Sequence, residues 1–207
     1  MAQPGDTRTS FHDAVDSFLA TAELIEPERW RQPATDEWSV LELFSHIARG
    51  LSVISDYLDV DLGPSPEVTV DGPANYFRLA LAAEGVHLGI RDRAVSASER
   101  YRDDPLAAAR EVASSVTARV DVTEDDRPMK VFVETMRFID YLHTRIVELV
   151  LHTFDLQLAC GLSLRAPESS LAVVEEILIE LTDRADPRAV VLALSGRSSG
   201  LACNVLH

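Results

Sequence analysis

Apolar residues fall at positions 11, 14, 15, 18, 19, 22 and 25, the spacing of an amphipathic helix from Phe11 to Ile25, with Ser10 placed to cap its first amides. Pro27 and Pro33 bracket a connector. A second helix is predicted from near Ser39, where Glu42 three residues on completes the pattern of a capping box. Its apolar stripe is Val40, Leu43, Phe44, Ile47, Leu51, Ile54 and Leu58. The prolines and glycines of Val60 to Pro73 interrupt helical periodicity and predict a loop. Periodicity resumes from Tyr76 to about Ala97, and Pro105 opens a further helix over Leu106 to Val120. Met129 to Glu134 alternates, as a short strand or an extended lead-in would. The longest helix runs roughly from Thr135 to Cys160, closed by Gly161, and Ser169 to Arg184 forms one more. The tail reads as two short strands, Ala189 to Ser195 and Leu201 to Leu206, joined by a glycine-containing turn.

These elements predict a mainly α protein: an antiparallel four-helix bundle over residues 1–162, with a small C-terminal α/β segment over 163–207 packing on it. A single α+β domain that absorbs the tail is the alternative. Composition narrows the partners. Of 207 residues, 34 are acidic and 19 basic, and the net charge of −15 repels phosphate backbones and anionic lipid surfaces, which argues against nucleic acid. No run approaches the ~18 to 20 apolar residues of a membrane span, since Ile146 to Leu158 already carries Glu148, His152, Asp155 and Gln157. The first residues show no basic leader or apolar core, so a soluble protein of the cytoplasm is expected. Cys160 and Cys203 are too few and too far apart for a disulfide framework or a thiolate cage. Lys130 is the only lysine beside 18 arginines, a bias that fits a GC-rich genome.

Candidate chemistry lies in the longest helix. Glu148 and His152 are spaced i, i+4 and project from one face of a helix that is apolar nearly all round, so it should be the buried one. A carboxylate there needs a cation or a full set of hydrogen bonds, and a metal ion supplies the pairing directly. The plainer alternative pairs Glu148 with Arg145 one turn earlier and makes His152 a hydrogen-bonded core histidine. His46 shifts the balance. It flanks the apolar stripe of the second helix, with Gly50 one turn on leaving space beside its imidazole. Two imidazoles and one carboxylate make the three-ligand set with an open fourth position that catalytic zinc uses. Asp155 can orient a ligand from behind or be merely solvated. His143, His12, His87 and His207 fit no such constellation, and Cys160 reads as a buried inert thiol.

The segments WRQPATDEWSVLELFSHIARG (30–50) and LHTRIVELVLHTFDLQLACG (142–161) together resemble the mycothiol-dependent maleylpyruvate isomerase family of the DinB-like superfamily. The likeness rests on Trp38, Ser39, Val40, Leu43 and His46, and on Arg145, Glu148, Leu149, His152, Asp155 and Leu156; VVLALSGRSSGLACNVL at 190–206 is similar to the family's C-terminal Leu-x-Gly-Arg segment. About Asp56 to Val131 is unmatched, and Phe154 stands where a tryptophan is common. The resemblance implies a four-helix bundle binding one divalent metal, usually taken as zinc, through His46, Glu148 and His152. It also implies a low-molecular-weight thiol cosubstrate, mycothiol in GC-rich actinobacteria, activated at the metal for S-transfer to a small electrophile or for its thiol-assisted isomerisation. A dianionic substrate would need local arginines such as Arg49 or Arg197 to approach so acidic a chain, and Arg197 is the candidate substrate contact. The charge favours a thiol transferase, as a monomer or homodimer. A metal hydrolase using bound hydroxide, and a non-enzymatic bundle with a structural metal, are the readings from other classes.

Overall fold

The second helix begins where its capping box places it. In α2 (Val40–Leu58) the Ser39 side chain accepts from the Glu42 amide, and the Glu42 carboxylate accepts from the Ser39 amide at 2.7 Å. The computed structural model describes residues 4–35, 38–82, 97–182, 188, 190–191 and 195. Around α2 stand α1 (Pro4–Glu23), α3 (Pro73–Ala82), a single 3-10 turn (Glu99–Tyr101), α4 (Pro105–Val122), α5 (Phe138–Cys160) and α6 (Glu168–Leu181), with a hairpin of β1 (Pro128–Lys130) and β2 (Thr135–Arg137) between α4 and α5. The protein is mainly helical, as the periodicity predicts. Among the described residues no helix is long and apolar enough to cross a membrane.

Contacts along the helices fix their directions. His46 faces His152 and Tyr57 faces Tyr141, so α2 and α5 are antiparallel. Glu23 pairs with Arg110 and His12 with Asp121, so α1 and α4 are antiparallel too. Thr7 meets His143 and Thr21 meets Gln157, however, which makes α1 and α5 parallel, and Asp59 pairs with Arg119, which makes α2 and α4 parallel. The bundle therefore runs up, down, down, up along the chain. The antiparallel pairs of the bundle are α1 with α4 and α2 with α5, and the long connection over residues 59–104 lets α4 start beside the N-terminal end of α2. Tyr101, just ahead of α4, packs edge-on against Phe44 near that end of α2.

Three boundaries differ from the sequence pattern, each for a physical reason. Helix α1 starts at Pro4, so Ser10 lies inside it and does not cap it; its hydroxyl donates to the Ser169 carbonyl, and its carbonyl accepts from Ser170, fastening α6 to α1. The polar residues ahead of Phe11 are buried by bonding: Thr7 is fully buried against His143, and Arg8 reaches the Thr123 carbonyl and Asp125. Helix α5 starts at Phe138 because Thr135–Arg137 pairs as a strand, Met136 opposite Met129 and both wholly buried. In the tail, Arg188, Val190 and Val191 are helical and the Ser195 amide donates to the Val191 carbonyl at 3.0 Å, where a strand over Ala189 to Ser195 is expected. A short apolar run does not by itself separate helix from strand. The second expected strand, Leu201 to Leu206, and the part of the third helix at 83–96 lie outside the described residues.

Helix α5 is the central one. Leu142, Ile146, Val147 and Leu149 are buried in it, and its C-terminus closes on Gly161 at φ 70°, in the left-handed region where glycine carries no Cβ penalty. Beyond it, the Gln157 amide donates to Thr21 and to the Arg165 carbonyl and accepts from the Arg165 amide, tying the chain leading to α6 onto the bundle.

Replacing Ser39 with Ala should remove the α2 cap and cost about 1 kcal/mol in denaturant unfolding, with an unchanged slope. His143 yields a pH signature. It is 5% exposed, its Nδ1 donates to the Ile139 carbonyl at 2.8 Å, and its Nε2 accepts from Thr7, an arrangement for neutral imidazole. Burial lowers its pKa below the ordinary 6.5. The unfolded chain then binds the extra proton, so this contribution to stability is complete above pH 6.5 and falls away as pH drops below it, by at most about 1.4 kcal/mol per unit. The stability difference between wild type and His143→Gln should accordingly shrink between pH 7 and 5; a constant difference would contradict neutral burial.

Candidate metal centre

The α2–α5 register sets the site. With His46 facing His152 and Tyr57 facing Tyr141, Gly50 comes level with Glu148 and Val53 with Arg145. The predicted trio converges: one ligand atom from each of His46, Glu148 and His152 lies within 4.8 Å of the others. Glu148 Oε2 is 3.9 Å from His46 Nε2 and 3.4 Å from His152 Nε2. Both exceed an ordinary N–H···O hydrogen bond, about 2.7–3.2 Å. The shorter matches the edge of a tetrahedron around zinc, about 3.4 Å for ligand bonds near 2.1 Å, and the longer exceeds it. The donor set fits a divalent cation better than it fits mutual hydrogen bonding.

His152 is held from behind. Its Nδ1 lies 3.0 Å from Asp155 Oδ2, so this ring nitrogen donates outward and leaves Nε2 turned to Glu148 and His46. That is the orienting role open to Asp155 from its spacing, in a pattern common to metal-bound histidines. His46 is steadied differently, by the Trp38 ring at 4.9 Å centroid to centroid. Its side chain keeps 17% exposure, against 28% for His152 and 34% for Glu148, so the group is open on one side to small molecules.

Without an ion the cluster stores its charge as protons. Burial raises the Glu148 pKa, but the two imidazoles and the Arg145 charge outweigh it and hold the carboxyl well below its usual range. Burial likewise opposes protonation of His152, yet Asp155 and Glu148 overcome it and push its pKa up to about 9. His46, where burial dominates, is lowered. A proton on His152 thus occupies the place a cation would take, and binding a metal would release it.

The plainer pairing of Glu148 with Arg145 is not what forms. Among the described residues no carboxylate lies within 4.0 Å of the Arg145 guanidinium, which sits 4.8 Å from the Tyr141 ring centre and 5.9 Å from that of Tyr76. Sequence reasoning missed this aromatic clamp. Tyr141, one turn before Arg145, was legible as a neighbour, whereas Tyr76 arrives from α3. The space expected beside Gly50 is present, since a Cβ there would meet nothing within 4 Å. Cys160 is only partly buried, with burial raising its thiol pKa. Arg49 lies on α2 three residues past His46, and Arg197 lies outside the described residues.

A helical bundle that offers a histidine from one helix to a Glu-x3-His face on another defines a DinB-like class of protein. The chain belongs to the mycothiol maleylpyruvate isomerase N-terminal domain family, whose model matches residues 11–157. No curated protein and no solved structure matches it.

Proposed function

We propose that the protein is a metal-dependent enzyme that activates a low-molecular-weight thiol, mycothiol by family, for reaction with a small electrophile. The observation that carries this reading is the His46, Glu148, His152 trio, spaced wider than hydrogen bonds and oriented by Asp155. These three residues would hold one divalent ion, zinc by the preference of two imidazoles and a carboxylate. When bound, the ion supplies Lewis acidity that lowers the pKa of a thiol towards neutrality. Asp155 keeps His152 in the tautomer that presents Nε2, and Trp38 holds the His46 ring in place. The apolar residues packed behind α5 keep solvent from the inner side of the site.

The reaction class follows from thiolate chemistry. In S-transfer a C–S bond forms as the bond to a leaving group breaks, and the leaving group departs with that electron pair. In isomerisation the sulfur adds to a carbon–carbon double bond, whose π pair moves onto the neighbouring activated carbon; rotation follows, the C–S bond breaks, and the double bond and thiolate are both regenerated. S-transfer is the favoured branch for this acidic chain, with Arg197 of the C-terminal segment as a proposed substrate contact. Residues 1–162 are taken as the metal-binding bundle and 163–207 as its C-terminal appendage, in a cytoplasmic protein.

Wild-type protein should bind one zinc per chain by elemental analysis, and His152→Ala should lose it. Asp155→Asn, which removes the charge behind His152, should weaken zinc binding by about 10- to 100-fold. Full occupancy in His152→Ala would reject the ligand set. A second test addresses the chemistry: the cobalt-substituted protein should develop a sulfur-to-metal charge-transfer band on adding mycothiol or 2-mercaptoethanol. If millimolar thiol leaves the spectrum unchanged while a simple ester is cleaved, the protein is a hydrolase.

A further inference from the structure

Arg145 stands three residues before Glu148 on α5, a spacing at which a guanidinium and a carboxylate on one helix pair. Here that pair does not form. The guanidinium is turned the other way along the helix, onto the Tyr141 ring one turn earlier, 4.8 Å from its centre, and it lies 5.9 Å from the centre of the Tyr76 ring. Its hold is layered. The Arg145 Nε donates to the Thr144 hydroxyl at 3.2 Å, and that hydroxyl, on a fully buried residue, donates to the Tyr141 carbonyl at 2.7 Å. The buried Tyr141 ring is in turn packed by Tyr57 of α2 at 5.5 Å and by Tyr76 of α3 at 6.0 Å. Aromatic faces attract a guanidinium by cation–π contact, the more strongly the drier the setting.

The clamp protects one oxygen atom. Glu148 Oε2 lies 3.9 Å from His46 Nε2 and 3.4 Å from His152 Nε2, so it is the carboxylate atom that an ion at the trio would take. Arginine grips a carboxylate two oxygens at a time, and a guanidinium seated on Glu148 would occupy that atom and set its own charge where the ion belongs. Tyr141 and Glu148 are seven residues apart, about two helical turns, with Arg145 between them. Its side chain reaches one or the other, not both.

We infer that Tyr141, buttressed by Tyr76, is a positioning residue for the metal site: by holding the Arg145 guanidinium on its ring, it keeps Glu148 open to the ion. Tyr141 acts on the ion through Arg145 and Glu148 alone. The charge of Arg145 stays near the trio in either position, and what the clamp decides is which atoms it occupies. This inference rests on the reading of His46, Glu148 and His152 as a metal site.

The test reads the zinc affinity of the full-length protein by competition with a chromophoric chelator. Tyr141→Leu should bind zinc about tenfold more weakly than wild type, because the released guanidinium competes for Glu148. Tyr141→Phe, which keeps the aromatic face, should bind as wild type does. The double variant Tyr141→Leu with Arg145→Met removes the competitor and should recover the wild-type affinity. Damage to packing alone is not repaired by a second substitution, so a double variant as weak as Tyr141→Leu would overturn the inference. So would unchanged affinity in Tyr141→Leu, or a loss in Tyr141→Phe as large as in Tyr141→Leu. If Tyr141→Leu does not fold, the wild type decides by NMR. Its Arg145 side-chain protons should keep the upfield shift imposed by the Tyr141 ring when zinc is removed, and disappearance of that shift in the apo-protein would show that the ring does not hold the guanidinium. His152→Ala separates the two levels. Zinc lost there while Tyr141→Leu binds normally fails this inference alone; zinc retained there, or none bound by wild type, fails the metal site beneath it.

Discussion

A carboxylate on the central helix of a bundle constrains everything around it. Glu148 interrupts a run of buried residues, Ile146, Val147, Leu149 and Val150, and although its own side chain keeps 34% exposure, its charge is partly withdrawn from water and calls for a partner. Its nearest compensation is His152, one turn on along the same helix, and α2 adds the second imidazole. To deliver His46 at the level of His152, α2 and α5 run antiparallel in one register. The capping box at Ser39 fixes where α2 starts, and so where on α2 that histidine falls.

The remaining topology follows from giving α5 a full set of neighbours. Helices α1 and α2 flank it on two sides, and α6 and α3 close over it, so its buried residues find partners on each of these helices. The long connection after α2 brings α4 down beside α2, and the β1–β2 hairpin then turns the chain directly into α5. Val70, fully buried in the connection, bridges alongside Met136 of that hairpin, and the Thr69 and Val70 amides both donate to the Thr135 carbonyl. The entry to the site-bearing helix is thereby pinned to the loop that follows the other site-bearing helix.

Much of this was legible in the sequence, and unevenly so. The α2 stripe, its cap, the closing Gly161 and the convergence of His46 with Glu148 and His152 could be read because each depends on local spacing or on a strong helical period. Helix α1 was cut short at Phe11 because its first turns are buried by hydrogen bonds, Thr7 to His143 and Arg8 to the end of α4, which leave no apolar trace. The strand Thr135–Arg137 was absorbed into a helix because its partner, Met129 with its neighbours, is supplied by tertiary pairing. The setting of Arg145 was hidden for the same reason: the plainer alternative paired it with Glu148, the nearest charge in sequence, while one of the two rings beside it, Tyr76, comes from α3.

Gly50 carries a consequence for the energetics of the whole face. It lies in the interior of α2, in helical conformation, with open space where its side chain would be. Glycine there costs the helix up to about 1 kcal/mol relative to alanine, and no tight packing recovers that loss. The fold gives up rigidity at a position level with Glu148 where a Cβ would meet open space. A tighter, more heat-resistant α2 is thus within reach of a single methyl group, set into the open space on the face that carries His46.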